Sequence, residues 1–279
     1  MISRPPAMRE AALEQQAKRR GGEQAGTRPL VVAHRGGAAL APENTLAALR
    51  RALDLEVDAV ELDVRLSRDG HPVVIHDATV DRTMEATGRV RDLSLGTLQA
   101  LRPRGGRGGG VPALREALAL VRGRARLFLE VKTDDGEARR ALEERVLAVV
   151  AAAGPEAAVT FVSFDLLSLR RLRELNRHVP LGVLVSWDFF QAHGRAAPDR
   201  LLEEARGLRA QRVGIHHELA APDLLEAVRA AGLAADVWTV DDAPAMRRFA
   251  LLGVDAVTTN RPDLLRRILA ELPADAPNA

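Results

Sequence analysis

Eight short apolar runs, each followed by a helical pattern, recur along this chain, and nothing else in it limits the fold as tightly. The runs are 30–34, 59–64, 126–132, 159–164, 181–186, 212–217, 235–240 and 255–260. All are rich in Val, Ile, Leu and Phe and have the length of strands rather than helices. Amphipathic stretches such as ENTLAALRRALDL, GEARRALEERVLAVVAAAG and APDLLEAVRAAG lie between them, and PDLLRRILAEL closes the series. A strand-then-helix unit met eight times predicts a closed parallel (β/α)8 barrel rather than an open sheet.

A hairpin-and-loop insertion interrupts the pattern after the second strand. In ELDVRLSRDGHPVVIHD, residues 61–77, Glu61 and Asp63 share one face because strand side chains alternate. Val60, Leu62 and Val64 fill the other face. A turn centred on Asp69-Gly70 returns the chain and sets His76 nearly opposite Asp63. The insertion runs to about residue 111 and includes RPRGGRGGG. Gly105 to Gly110 lack the spacing of a P-loop or dinucleotide fingerprint and read as a flexible loop.

The expected organisation is a disordered tail over 1–28, one barrel domain over 29–272 and a C-terminal tail over 273–279. The chain is 47% hydrophobic with a formal charge of +2, so it can bury a sizeable core. Aromatics are only 3% and basic residues are scattered, which argues against a nucleic-acid surface. No run reaches the ~18 apolar residues of a membrane span, so no stable membrane insertion is expected. The first 28 residues lack the apolar core of a secretory signal. With no cysteine, disulfides and thiolate metal sites are excluded. A cytoplasmic location is the expectation, and the sequence leaves the oligomeric state open.

In such a barrel, chemistry collects at the C-terminal ends of the strands. There the sequence places His34, Arg35, Glu61, Asp63, Glu130, Lys132, Ser163, His216, His217 and Trp238, while mid-strand residues read as apolar. His216 and His217 read equally well as surface residues. Three inward carboxylates, Glu61, Asp63 and Glu130, repel one another, and Arg35 and Lys132 neutralise them only in part. One hard divalent cation, Mg²⁺ or Ca²⁺, resolves the excess; a purely structural ion-pair network is the competing reading. Lys132 is one of only two lysines, with Lys18, which points to a specific use for a compact ammonium such as a phosphate contact.

The motifs AHRGG (33–37), PENT (42–45), ELDV (61–64), HD (76–77), DRT (81–83), LEVK (129–132), SF (163–164) and GVDAVTTNRP (253–262) occur in that order. Together they resemble the glycerophosphodiester phosphodiesterase family of TIM barrels over about residues 30–270. The resemblance implies hydrolysis of small-molecule glycerophosphodiesters to sn-glycerol 3-phosphate and an alcohol. It implies that His34 and His76 are acid and base and that Glu61, Asp63 and Glu130 bind the cation. It further implies that Arg35 and Lys132 hold the phosphate, backed by Glu43 and Asn44. By analogy with phosphoinositide phospholipases C, His34 is read as the base and His76 as the acid. Trp238 is expected to line the pocket against the glycerol. A phospholipase D-like or C-like relative acting on intact lipid, a non-catalytic barrel that binds a phosphorylated ligand and an unrelated metal-dependent barrel hydrolase are the alternatives.

Overall fold

The computed structural model describes residues 28–105, 109–132 and 137–272. The expected tails, apart from Arg28, and the centre of the glycine run lie outside the described residues.

Eight parallel strands close into a barrel. In chain order they are β1 (Leu30–Ala33), β2 (Ala59–Leu66), β4 (Arg126–Val131), β5 (Val159–Ser163), β6 (Leu181–Val185), β7 (Arg212–His216), β8 (Ala234–Trp238) and β9 (Ala256–Thr259). Each pairs with the next, and β1 pairs with both β2 and β9, which seals the ring. The ninth strand, β3 (Pro72–Val74), lies outside the ring, antiparallel on β2. The TIM barrel expected from the strand pattern is the fold observed.

Helices α1 (Leu46–Asp54), α2 (Leu95–Ala100), α3 (Leu114–Val121), α4 (Glu137–Ala153) and α5 (Leu166–Leu175) belong to the first half of the barrel. The second half adds α6 (Trp187–His193), α7 (Ala197–Gly207), α8 (Pro222–Ala230), α9 (Ala243–Leu251) and α10 (Pro262–Glu271). Local chemistry sets their starts: the Thr45 hydroxyl accepts from Ala48 N at 3.2 Å, and Asp165 and Asp242 cap α5 and α9 the same way. Leu49, Ala52 and Leu53 then give α1 its buried stripe.

Alternation along the strands divides the interior in two. Outward residues such as Val60, Leu62, Leu127, Leu129, Phe161, Val213 and Val237 pack under the helices as the main core. Inward residues fill the barrel axis, with Val32, Ala59, Phe128 and Ala256 as a small apolar group.

Three features differ from the sequence reading. The barrel interior is not wholly apolar: Arg212, at the start of β7, and Asp236 of β8 meet in a forked pair, Nε to Oδ2 at 2.6 Å and Nη2 to Oδ1 at 3.0 Å. Helices α2 and α6 were not expected. The hairpin register is also one residue off, with Val64 opposite Val74 and Ile75 N bonding Asp63 O, so Ile75 rather than His76 faces Asp63. The reason is a three-residue loop, 68–70, closed by Ser67, whose hydroxyl donates to Asp69 and accepts from His71 N. The insertion that follows has a small core of its own, centred on Val73, Ile75, Val80, Met84, Leu98 and Val111.

Candidate active site

The chain leaves β1 into a 3₁₀ turn, His34–Gly36, that is built for close approach. Arg35 takes a left-handed φ of 52°, a conformation that costs a non-glycine residue about 1 kcal/mol or more. A Cβ on Gly36 would fall 2.9 Å from that of Ala48, so only glycine lets the turn sit against α1. This posture aims the Arg35 backbone N–H at Glu61 Oε2, 3.0 Å away.

Glu61 and Asp63 project inward from β2, and Glu130 stands in register with Asp63 on β4. One oxygen from each lies within 4.8 Å of the others. Asn44 donates to Asp63 Oδ2 at 2.8 Å. Lys132 lies between two of the acids, 2.5 Å from Glu130 Oε1 and 3.0 Å from Asp63 Oδ1. Arg35 lies 3.4 Å from Asp63 and 3.0 Å from Glu43. Even so, Glu61 Oε1 is buried with no hydrogen-bond partner. Burial, then the charges of Asp63 and Glu130, push the Glu61 carboxyl well above its ordinary range. Burial likewise lifts Glu130, to about 7. Asp63 goes the other way, because Lys132 and Arg35 outweigh its burial. Three hard oxygen donors, one of them unsatisfied, suit a Mg²⁺- or Ca²⁺-sized cation.

The two histidines are held differently. His34 Nδ1 lies 2.7 Å from Asn260 Oδ1. Asp241 fixes that amide: its carboxylate accepts from Asn260 N, from Asn260 Nδ2 at 2.6 Å and from the Thr259 hydroxyl. Since Nδ2 is committed to Asp241, Oδ1 must accept, and His34 Nδ1 must carry the proton. Nε2, 3.9 Å from Glu61 Oε2, is left with a free lone pair. Burial is the main cause holding the His34 pKa down, at about 4, with Arg35 adding to it. His76 instead has a carboxylate behind it, Asp77 Oδ1, at 2.6 Å from Nδ1. Burial lowers its pKa as well, while the nearby Asp63 works in the opposite direction.

Trp238 closes the far side, edge-on to Phe164 and to His216 with ring centres 5.2 and 5.1 Å apart. Gly214 makes room for it, since a Cβ there would stand 3.3 Å from the indole. His216 and His217 lie ring beside ring next to this wall, with centres 4.8 Å apart. Asn260, Asp241 and Arg82 are contributors that the sequence reading quoted or passed over without a role. Asn260 and Arg82 stand inside motifs, TTNRP and DRT, but each has a partner far away in sequence, His34 for Asn260 and Glu43 for Arg82.

Residues 34–264 match the model of the glycerophosphoryl diester phosphodiesterase family. The chain belongs to that family. A glycerophosphodiester phosphodiesterase from Caldanaerobacter subterraneus subsp. tengcongensis is 34% identical over 85% of this chain and 96% of its own length. Among solved structures, an Oleispira antarctica phosphodiesterase in complex with the product sn-glycerol-3-phosphate superposes with a TM-score of 0.78, at 27% identity over 88% of this chain and 98% of that one. A glycerophosphodiester phosphodiesterase from Agrobacterium tumefaciens gives 0.72, at 30% identity over 86% and 99%. Membership makes this protein a phosphodiesterase with a TIM-barrel fold. Among the described residues, no helix is long and apolar enough to cross a membrane.

Proposed function

We propose that this family member hydrolyses small glycerophosphodiesters to sn-glycerol 3-phosphate and an alcohol, using one divalent cation and two histidines in proton transfer. The observation that carries the reading is the convergence at one barrel mouth of three buried carboxylates, two cationic side chains and two imidazoles with tied Nδ1 atoms.

Glu61, Asp63 and Glu130 would hold the cation. Once bound, it supplies positive charge against the non-bridging phosphate oxygens, where negative charge grows in the transition state. Arg35 offers a planar fork to the same anion, and Lys132 a point charge. Glu43 and Asn44 act on these groups rather than on substrate: Glu43 holds the Arg35 guanidinium and Asn44 holds Asp63.

The histidine partners support a division of labour. His34 is backed by an amide rather than a carboxylate, and its burial keeps the imidazole uncharged with a lone pair on Nε2, the form that removes a proton. His76 is backed by the Asp77 carboxylate, which works against the lowering effect of burial and stabilises the imidazolium when it forms, the form that delivers a proton to a leaving alkoxide. Trp238 supplies an apolar face to the carbon skeleton of the glycerol.

The test is a substrate panel of glycerophosphocholine, glycerophosphoethanolamine, glycerophosphoglycerol, glycerophosphoinositol and lysophospholipids, each with Mg²⁺ or Ca²⁺. Release of glycerol 3-phosphate from the first four is the expected result. Turnover of the lysophospholipids alone would refute the substrate class.

A further inference from the structure

We infer that Arg82 is a positioning residue: by sharing its guanidinium between Asp77 and Glu43, it sets His76 in place against Arg35. The inference rests on the function proposed above. Arg82 donates to Asp77 from Nε at 2.6 Å and Nη2 at 3.2 Å. It donates to Glu43 from Nη1 at 2.9 Å and Nη2 at 2.7 Å. All three nitrogens of the fork are engaged. Beyond Asp77 stands His76, and beyond Glu43 stands Arg35, which reaches Asp63. One side chain therefore joins the proton-transfer histidine on the insertion to the phosphate arginine on the β1 turn.

The need for such a tie follows from where His76 sits. It lies just past β3, a three-residue strand outside the ring, in a segment whose apolar residues pack into a core of their own. Arg65 fastens the His76 backbone carbonyl to β2 at 2.8 Å, but that leaves the ring free to turn. Asp77 restrains the ring, and Arg82 restrains Asp77. Without Arg82, two carboxylates would face each other across the seam between insertion and barrel and push it open.

Stability does not explain the arrangement. The Arg82 side chain is 50% exposed, and ion pairs so open to water add little to folding. Four hydrogen bonds in fixed geometry instead specify a position, which a lysine in the same place could not do.

The experiment measures kcat and KM for Arg82→Ala and Arg82→Lys on glycerophosphocholine, alone and combined with His76→Ala, beside thermal melts. Arg82→Ala should lower kcat by about 10- to 100-fold, as removal of an orienting partner commonly does, with KM within about threefold. The lysine variant should recover little. In the His76→Ala background the further loss should be about twofold or less, because a residue acting through His76 has nothing left to position. Nitrogen NMR should show the fixed Nδ1–H form of His76 lost in Arg82→Ala and kept for His34. A raised KM at unchanged kcat would make Arg82 a substrate contact and overturn the proposal. So would full multiplication of the two losses, or an unchanged His76 signal. If His76→Ala keeps wild-type turnover, the proton-transfer reading fails as well. If His76 matters and Arg82 does not, only this proposal falls.

Discussion

The barrel encloses two clusters of charge, one below the other along its axis, built to opposite rules. The lower one is Arg212 with Asp236: one cation, one anion, both ends of the fork used, and the guanidinium 4.5 Å over the Phe128 ring. Gly182 clears the space, since a Cβ there would lie 2.8 Å from Arg212 Cγ. The upper one sets three carboxylates against Arg35 and Lys132 and leaves Glu61 Oε1 without a partner. A buried charge group persists only when compensated. The lower cluster compensates itself and asks for nothing from outside. The upper one is short of positive charge, which marks it as a place where a ligand completes the structure.

Chelation should give the widest separation between them. EDTA should abolish turnover and Mg²⁺ or Ca²⁺ should restore it, while the apo protein keeps its fold because the lower pair and the apolar core are untouched. Full activity in chelator, with no metal found by elemental analysis, would remove the distinction. Next come the histidines of the upper cluster. His34→Ala and His76→Ala should each cost about 10²- to 10⁴-fold in kcat with little change in melting temperature. A nitrophenyl phosphodiester, whose leaving group needs no proton, should rescue His76→Ala and not His34→Ala. Equal rescue of both would refute the acid and base assignment.

The lower cluster should answer in the other currency. Arg212→Met strands Asp236 as an uncompensated buried anion, so stability should fall by about 3–5 kcal/mol, the usual cost of breaking a buried pair. Activity per folded molecule should stay near wild type. Urea unfolding and an active-fraction assay on one sample measure both quantities. A large loss of turnover in the folded fraction would mean that the pair supports the mouth after all.

The sequence made the upper cluster far more legible than the lower. Val60, Leu62 and Val64 alternate with Glu61 and Asp63, and that contrast reports on its face at once. Arg212 and Asp236 stand near the starts of their strands, where a charge ordinarily meets water. Only closure of the ring carries both inward and makes them neighbours on β7 and β8. The same limit applies to Arg82, whose partner Glu43 is 39 residues away, and to Asn260, 226 residues from His34. His76 lies one residue from its expected register because Ser67 and Asp69 close a three-residue loop where Asp69-Gly70 suggests a two-residue turn. Spacing in the chain reports what shares a face. It does not report which distant faces will meet.

The smallest expected effect is the sharpest test of the contrast. Replacing both partners of a buried pair with apolar groups of similar volume is often neutral or stabilising, by up to about 4 kcal/mol, because the desolvation cost of two ions disappears with their attraction. Arg212→Met with Asp236→Val should therefore restore most or all of what Arg212→Met alone loses, and turnover should persist. The same operation at the mouth has a different expected outcome. Glu61→Gln removes one of three mutually repelling acids, so without metal the variant should be at least as stable as wild type. It should lose the stabilisation that saturating metal gives the wild type, about 2.7 kcal/mol at a hundredfold excess over Kd, and its activity with it. Stability gained by discharging a site, with function lost in the same step, identifies charge kept for a ligand. If the double variant at Arg212 and Asp236 also loses turnover, or if Glu61→Gln is destabilised without metal, then the two clusters do not follow different rules.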